Sequence, residues 1–284
     1  MKTLFIDTIA NNFMHEIIET VSDAGVAKAS GSFRRLFVLG ILAGVYIAFA
    51  SEASNMAAFN LLADPATYGL GRCLAGAIFP GGLMLVVIAG GELFTGNTMM
   101  LLPLARRKIG LAGLLRNWFL VYCGNFVGSF FVAWLIFHSG QLNAGGSLLG
   151  GVTIKIATVK CSLTFSQAVA LGILCNWLVC LAVWMAMAAK DVTGKIFAIF
   201  FPIWLFITSG FEHSVANMYY ISVGLLAKSN AAWLEASKLS PEALASLSWT
   251  NFFCANLLPV TLGNIIGGGV FVALVYGYAL KNEK

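Results

Sequence analysis

The sequence is short of charge. Only 10% of its 284 residues are Asp, Glu, Lys or Arg, against about 25% in ordinary soluble domains. With 59% hydrophobic residues, this excludes a soluble globular chain. Several apolar runs reach the ~20 residues that cross a bilayer as a helix. The six cysteines, at 73, 123, 161, 175, 180 and 254, form no C-x-x-C pair. Neither a metal site nor a disulfide framework is indicated, and the cysteines are read as small apolar residues. No H-E-x-x-H or G-x-S-x-G run occurs, which removes the usual sequence support for hydrolysis. No basic segment followed by an apolar one opens the chain, so no cleaved signal peptide is expected. The net charge of +5 does not point to nucleic acid, because the basic residues cluster at the ends of apolar runs. No cofactor is expected.

What is present is six apolar stretches, near 36–57, 73–104, 114–137, 163–188, 196–226 and 250–280. Ahead of them, residues 4–28 read as an amphipathic helix. Phe5, Ile9, Phe13, Ile17 and Val21 recur every fourth position, with Asp7, Glu16, Glu19 and Asp23 between them. It is too polar to span and is expected on the membrane surface or against the mouth of the spanning part. Residues 139–162 read as a Gly-rich loop and 228–248 as a polar one. Glu52 lies near the far end of the first span, where an end charge can snorkel to water. The loops that share a side with both termini hold 12 Lys and Arg, and the opposite loops hold 5. The excess predicts cytoplasmic termini.

Two of the stretches are interrupted in the same way. Gly90, Glu92 and Asn97 have the spacing of Gly210, Glu212 and Asn217. Ionisable groups inside an apolar span cost roughly 2.5–3.5 kcal/mol on insertion scales and mark functional sites facing a cavity or protein interior. Two such breaks in matching places point to a transporter site made from discontinuous helices. Other matches support a duplication. Leu39-Gly40-Ile41-Leu42 repeats as Leu171-Gly172-Ile173-Leu174, and Asn117, Asn125 and Gly128 repeat as Asn256, Asn264 and Gly267. The halves, 36–137 and 163–280, each cross three times and must be inverted relative to each other. The expected fold is therefore an all-α integral membrane protein of six helices in two inverted repeats, the second and fifth helices broken. Gly124/Gly128 and Gly263/Gly267 are G-x-x-x-G pairs that suit close helix packing within or between subunits.

The positive ends of half-helices attract anions. Thr95 offers a hydroxyl there, and His213 an N–H donor or a charge. Glu92 and Glu212 would repel an anion, so they are expected to be hydrogen-bonded behind the breaks, as structural residues with Asn97 and Asn217. Lys160 is either a solvated loop lysine or an anion attractor at a pore entrance. Asn176, in the middle of the fourth span, either lines the pore or bonds across helices. His15 and His138 are assigned no role.

The runs Glu92-Leu93-Phe94-Thr95-Gly96-Asn97, Leu171-Gly172-Ile173-Leu174-Cys175-Asn176, Gly210 to Met218 (GFEHSVANM) and Pro259 to Gly268 (PVTLGNIIGG) resemble the signatures of the formate/nitrite transporter family. The resemblance covers nearly the whole chain. It implies an aquaporin-like fold, a homopentamer in membrane lipid with one pore per protomer, and the bacterial cytoplasmic (inner) membrane. It puts the pore residues on His213, Thr95 and Asn176, with Lys160 as the vestibule lysine. It puts apolar constrictions at Phe79 and Phe206 on the outer side and at Leu83, Leu93 and Phe94 on the inner side. It makes residues 4–28 a candidate pH-dependent gate, and formate, moved as the acid or with a proton, the first choice of substrate. Glu92 and Gly96-Asn97 depart from the enteric formate channels, and nitrite and hydrosulfide members also carry Phe-Thr-Gly here. Those two anions are the alternatives.

Readings from other classes are weaker. An aquaporin-type water channel would carry Asn-Pro-Ala at its breaks, and neither break has it. An intramembrane enzyme using Glu212 and His213 would have to work with adjacent side chains that project about 100° apart on a helix. A scaffold without flux would not need two buried acidic breaks.

Overall fold

The computed structural model describes residues 2–280, with side chains from Phe13 onward. Phe5 and Ile9 of the expected apolar stripe, and the tail 281–284, lie outside the described side chains. Every element among the described residues is helical. Helix α1 is Lys2–Ala29 and α2 is Phe33–Ala63. Helix α3, Tyr68–Gly90, is followed by a half-helix in three short pieces, Phe94–Asn97, Thr98–Met100 and Leu101–Ala105. Then come α4 (Leu111–His138), α5 (Leu148–Cys161) and α6 (Phe165–Ala188). Helices α7 (Val192–Ser209) and α8 (Ser214–Ala227) are the halves of the second broken span, and α9 is Trp249–Ala279. Helices α2, α3, α4, α6, α7 and α9 are long and apolar enough to cross a membrane.

Local chemistry sets the starts. Ser32 accepts from Arg35 N ahead of α2, Thr164 and Gln167 form a reciprocal cap on α6, and Asp191 accepts from Gly194 N ahead of α7. Two glycines set the breaks. Gly90 and Gly210 have φ of +97° and +77°, a left-handed conformation that a residue with Cβ adopts only with strain. Gly91 is extended, and Leu93 and His213 sit at the N-caps of the following half-helices with nearly equal angles, φ −107° and −109°.

The two halves pack by the same rule. Helix α2 lies on α4, and α6 on α9, at glycines. A Cβ added to Gly124 would come 2.7 Å from the Phe37 carbonyl oxygen, and one on Gly172 2.7 Å from that of Val260. Gly128 and Gly267 press on the backbones of α2 and α6 in the same way. Both G-x-x-x-G pairs are thus used inside the subunit, where small residues let backbones approach.

Three sequence expectations change. The Gly-rich stretch 139–162 contains a helix, α5, with Gly150 and Gly151 against Trp233 and Ala236. Gly150 and Gly151 are packing surfaces, whereas Gly140, Gly145 and Gly146 do turn, with φ of +78°, +62° and +65°. The stretch 228–248 holds two short helices, Ala231–Ser237 and Pro241–Ala245. Glu52 does not reach water. It is 4% exposed and accepts a hydrogen bond from the Tyr219 hydroxyl.

Helix α1 packs against the spanning part. Ile17, Ile18 and Val21 bury themselves among Met99, Leu102, Trp184, Val272 and Ala273, whereas Phe13 stays exposed. At its surface, Glu19 pairs with Arg106 and Lys108, and Asp23 with Lys108. Lys108 holds the Glu19 carboxyl below the usual carboxylate range, and Glu19 in turn raises Lys108.

Candidate functional site

A broken helix leaves backbone groups that must find partners away from water. Here one asparagine closes each break. Asn125 on α4 accepts from Phe94 N at 2.9 Å and donates to the carbonyls of Gly40 and Glu92 at 2.8 and 2.9 Å. Asn264 on α9 accepts from Ser214 N at 2.9 Å and donates to Gly172 and Glu212 at 2.8 and 3.0 Å. Glu92 N and Glu212 N complete the pattern by donating to Leu39 and Leu171 carbonyls. The glutamate side chains do not serve the freed backbone.

Behind each break the carboxylate sits in a second repeated network. Lys28 Nζ lies 2.7 Å from Glu92 Oε2, and Lys160 Nζ lies 2.6 Å from Glu212 Oε1. Asn97 and Asn217 donate to the same carboxylates at 2.8 and 2.6 Å. They also donate to Asn117 and Asn256, which in turn reach back to the carbonyls of Lys28 and Lys160. The duplication therefore extends to α1 and α5, each ending in a lysine that holds a break. Charge pairing and the asparagine hydrogen bonds are what make two carboxylates tolerable at this depth.

The two breaks meet tip to tip. Thr95 Oγ1 is 2.9 Å from His213 Nε2. His213 Nδ1 accepts from Ala216 N at 3.0 Å, so in the neutral ring the hydrogen is on Nε2 and points at Thr95. His213 is thus both the N-cap of α8 and the side chain presented at the junction. Asn176 straps the junction from α6. Its Nδ2 donates to Thr95 O, Thr98 Oγ1 and Asn264 O, at 3.1, 3.1 and 2.7 Å, while Oδ1 has no partner.

A cavity of about 480 Å³ opens on the side opposite α1 and is lined by Lys160, Tyr220, Glu212, His213 and Phe206, among others. Arg72 and Lys155 also line it. Lys160 is not a free cation there, because Glu212 pairs with it. It also lies 5.3 Å from the Tyr220 ring. Phe79 and Phe206 are both 1% exposed and meet edge to face with ring centroids 5.6 Å apart. Phe206 is 6.0 Å from the His213 ring. Leu83, Leu93 and Phe94 are buried, and Phe94 is held edge-on by Tyr122 and Trp118. No cluster of metal-ligating side chains exists among the described residues.

Sequence reasoning had Asn117, Asn125, Asn256 and Asn264 only as marks of duplication, and missed Lys28. The signal for the asparagines was present. Residues eight apart lie about two turns apart on one helix face, so each pair could have been read as two anchors facing one break.

The family profile described as formate/nitrite transporter matches residues 15–278. A probable formate transporter of Methanothermobacter thermautotrophicus is 42% identical over 90% of this chain and 92% of its own. Formate channel FocA of Escherichia coli K12 is 37% identical over 94% and 93%. A solved structure described as a pentameric formate channel with formate bound superposes with a TM-score of 0.77 at 38% identity, covering 87% of this chain and 97% of that one.

Proposed function

The chain belongs to the formate/nitrite transporter family, and on that premise we propose that it is a membrane channel for formate, moved as the acid or with a proton. Relatives named as formate channels or as a probable formate transporter, at 37–42% identity, support that substrate over nitrite and hydrosulfide. The chain transports and does not transform its substrate. It acts as a single channel unit, assembled as a homopentamer like the pentameric relative, with lipid against exposed apolar side chains such as Phe119 and Phe197. Both termini are cytoplasmic by the charge bias, in the bacterial inner membrane, which makes the cavity the outer vestibule and α1 a pH-dependent gate on the inner side.

The observation that carries this reading is the Thr95–His213 pair at the meeting point of two broken helices. Arg72 and Lys155 draw a monovalent anion into the vestibule, where Lys160, paired with Glu212, offers its remaining N–H donors. Loss of water favours its protonated form. Near His213 and Thr95 the anion gains a proton, and the neutral acid crosses the apolar constrictions, Phe79 with Phe206 and then Leu83, Leu93 and Phe94. Such rings turn back hydrated ions because stripping water from a charge there is costly. Asn176 holds the junction in register.

The test is uptake into proteoliposomes carrying an internal pH dye, with formate, nitrite and hydrosulfide compared at two external pH values. A formate-dependent internal pH change well above that of empty liposomes is expected. Strong nitrite or hydrosulfide flux with little formate flux would replace the substrate and keep the channel. No flux of any of the three would sink the transport reading.

A further inference from the structure

Behind the vestibule lining, one turn from the lining residue Asn55, lies an acid that the two breaks do not use. Glu52 is buried in α2, 4% exposed, inside a membrane-spanning helix. Its Oε2 accepts from the Tyr219 hydroxyl, and among the described residues its Oε1 has no partner. Asn55, one turn further along α2, has an unpartnered Nδ2 and lines the vestibule beside Tyr220 and Lys160. Ser222, one turn after Tyr219 on α8, is buried with an unpartnered hydroxyl. Other nearby hydroxyls are occupied: Ser51 donates to Ile47 O, and Ser54 to Ala50 O and Ala75 O.

Among the described residues no cation balances Glu52. The helices packed on α2 bring Arg72 from α3, Lys155 and Lys160 from α5, Tyr219 and Tyr220 from α8, and Arg116 and His138 near the two ends of α4. Arg72 donates to Ile207 O, Lys160 is held by Glu212, Arg116 donates to Gly31 O, and Lys155 is exposed at the cavity. An ionised Glu52 would be a buried charge with one neutral donor, an arrangement that costs several kcal/mol relative to a paired charge. The protonated acid keeps the Tyr219 bond and leaves an O–H to donate.

We infer that Glu52 is a second proton-exchange group of this channel, which carries a proton beside the outer vestibule and passes it to the arriving anion. In the step, the Glu52 O–H bond breaks and an O–H bond forms on a carboxylate oxygen of the anion, through vestibule water on the Asn55 side. Glu52 is left as the carboxylate and takes a proton back from external water. The inference rests on the channel reading above, and it adds a group behind the vestibule lining that is separate from His213.

The experiment is formate uptake in proteoliposomes as a function of external pH, for wild type, Glu52→Gln and Tyr219→Phe, with infrared difference spectra of the same samples. Glu52→Gln keeps an acceptor for Tyr219 and removes the titrating group. Its uptake should lose about a hundredfold at acidic external pH, the lower end of what a general acid contributes, and its pH profile should flatten. A protonated-carboxyl band in the wild type should vanish in this variant. Tyr219→Phe removes the donor that supports the ionised form, so its profile should move to higher pH, and the carboxyl band should move to higher frequency. A merely structural role for Glu52 would lower uptake equally at every pH. Wild-type flux with a Glu52→Gln profile superimposable on it, or an unchanged carboxyl band, would overturn the inference while leaving the channel standing. Absence of flux in the wild type itself would instead remove the reading on which the inference rests.

Discussion

Thr95 and His213 stand 118 positions apart in the chain and 2.9 Å apart in space. Each is supplied by a different broken helix, and the same inverted unit, used twice, brings the two tips together. His213 holds its geometry because Ala216 N–H fixes one ring nitrogen and leaves the other facing Thr95.

His213→Phe removes both bonds. The lost cap should cost about 1 kcal/mol of stability, and proton-coupled formate uptake should fall about tenfold or more. His213→Asn, which can still cap α8, should recover the stability without recovering the pH dependence. Thermal unfolding in detergent and uptake at two pH values separate these effects. Uptake by His213→Phe that matches wild type at both pH values would take the imidazole out of the mechanism.

Lys28→Met strands the Glu92 carboxylate. Removing one partner of a buried ion pair costs about 3–5 kcal/mol, and a partly exposed lysine belongs at the lower end. Adding Glu92→Gln, which keeps an acceptor for Asn97, should restore much of the loss. The same pair of changes at Lys160 and Glu212 should behave alike, because the networks match. A double variant no more stable than the single one would contradict the pairing.

Asn264→Leu leaves Ser214 N–H and the Glu212 carbonyl without partners and takes the second donor from Gly172 O. Each orphan costs about 1–3 kcal/mol, so the assembled oligomer should be lost or melt far below wild type. Asn125→Leu should be equally damaging. Size-exclusion chromatography of both variants decides it, and a normal oligomer from either would show that the break is held by something else.

Glu19→Gln should loosen the docking of α1. The native carboxyl titrates below its ordinary value of 4.5 because Lys108 binds it. Its contribution to docking is present above that ordinary value and lost as pH falls through the lowered one. Amides of α1 in the variant should exchange faster near neutral pH, and wild type should approach the variant only in strong acid. Hydrogen exchange that is equal at neutral pH would exclude the clamp.

Much of this architecture was legible in the sequence. The Gly–Glu–Asn spacing located both breaks, and the repeated asparagines exposed the duplication, since those residues are too polar to be accidental in apolar spans. Lys28 was not legible, because a lysine at the end of a polar helix looks solvated until the fold returns Glu92 to it. The second half of 139–162 was misread because Gly150 and Gly151 serve close packing of α5, and local pattern alone cannot tell that use from the turns that Gly140, Gly145 and Gly146 make. Glu52 was misread for a related reason. Its burial depends on Tyr219, 167 positions away.

The anchoring of Lys28 limits what α1 can do as a moving part. Its last turn is built into the first break, with Gly25 seated on Pro103 and Lys28 on Glu92. A swing of the whole helix would dismantle the junction that positions Thr95. The fulcrum of any gating stroke must therefore lie upstream of Gly25, and the turns that carry Ile17, Ile18 and Val21 must undock before they can serve as the lever.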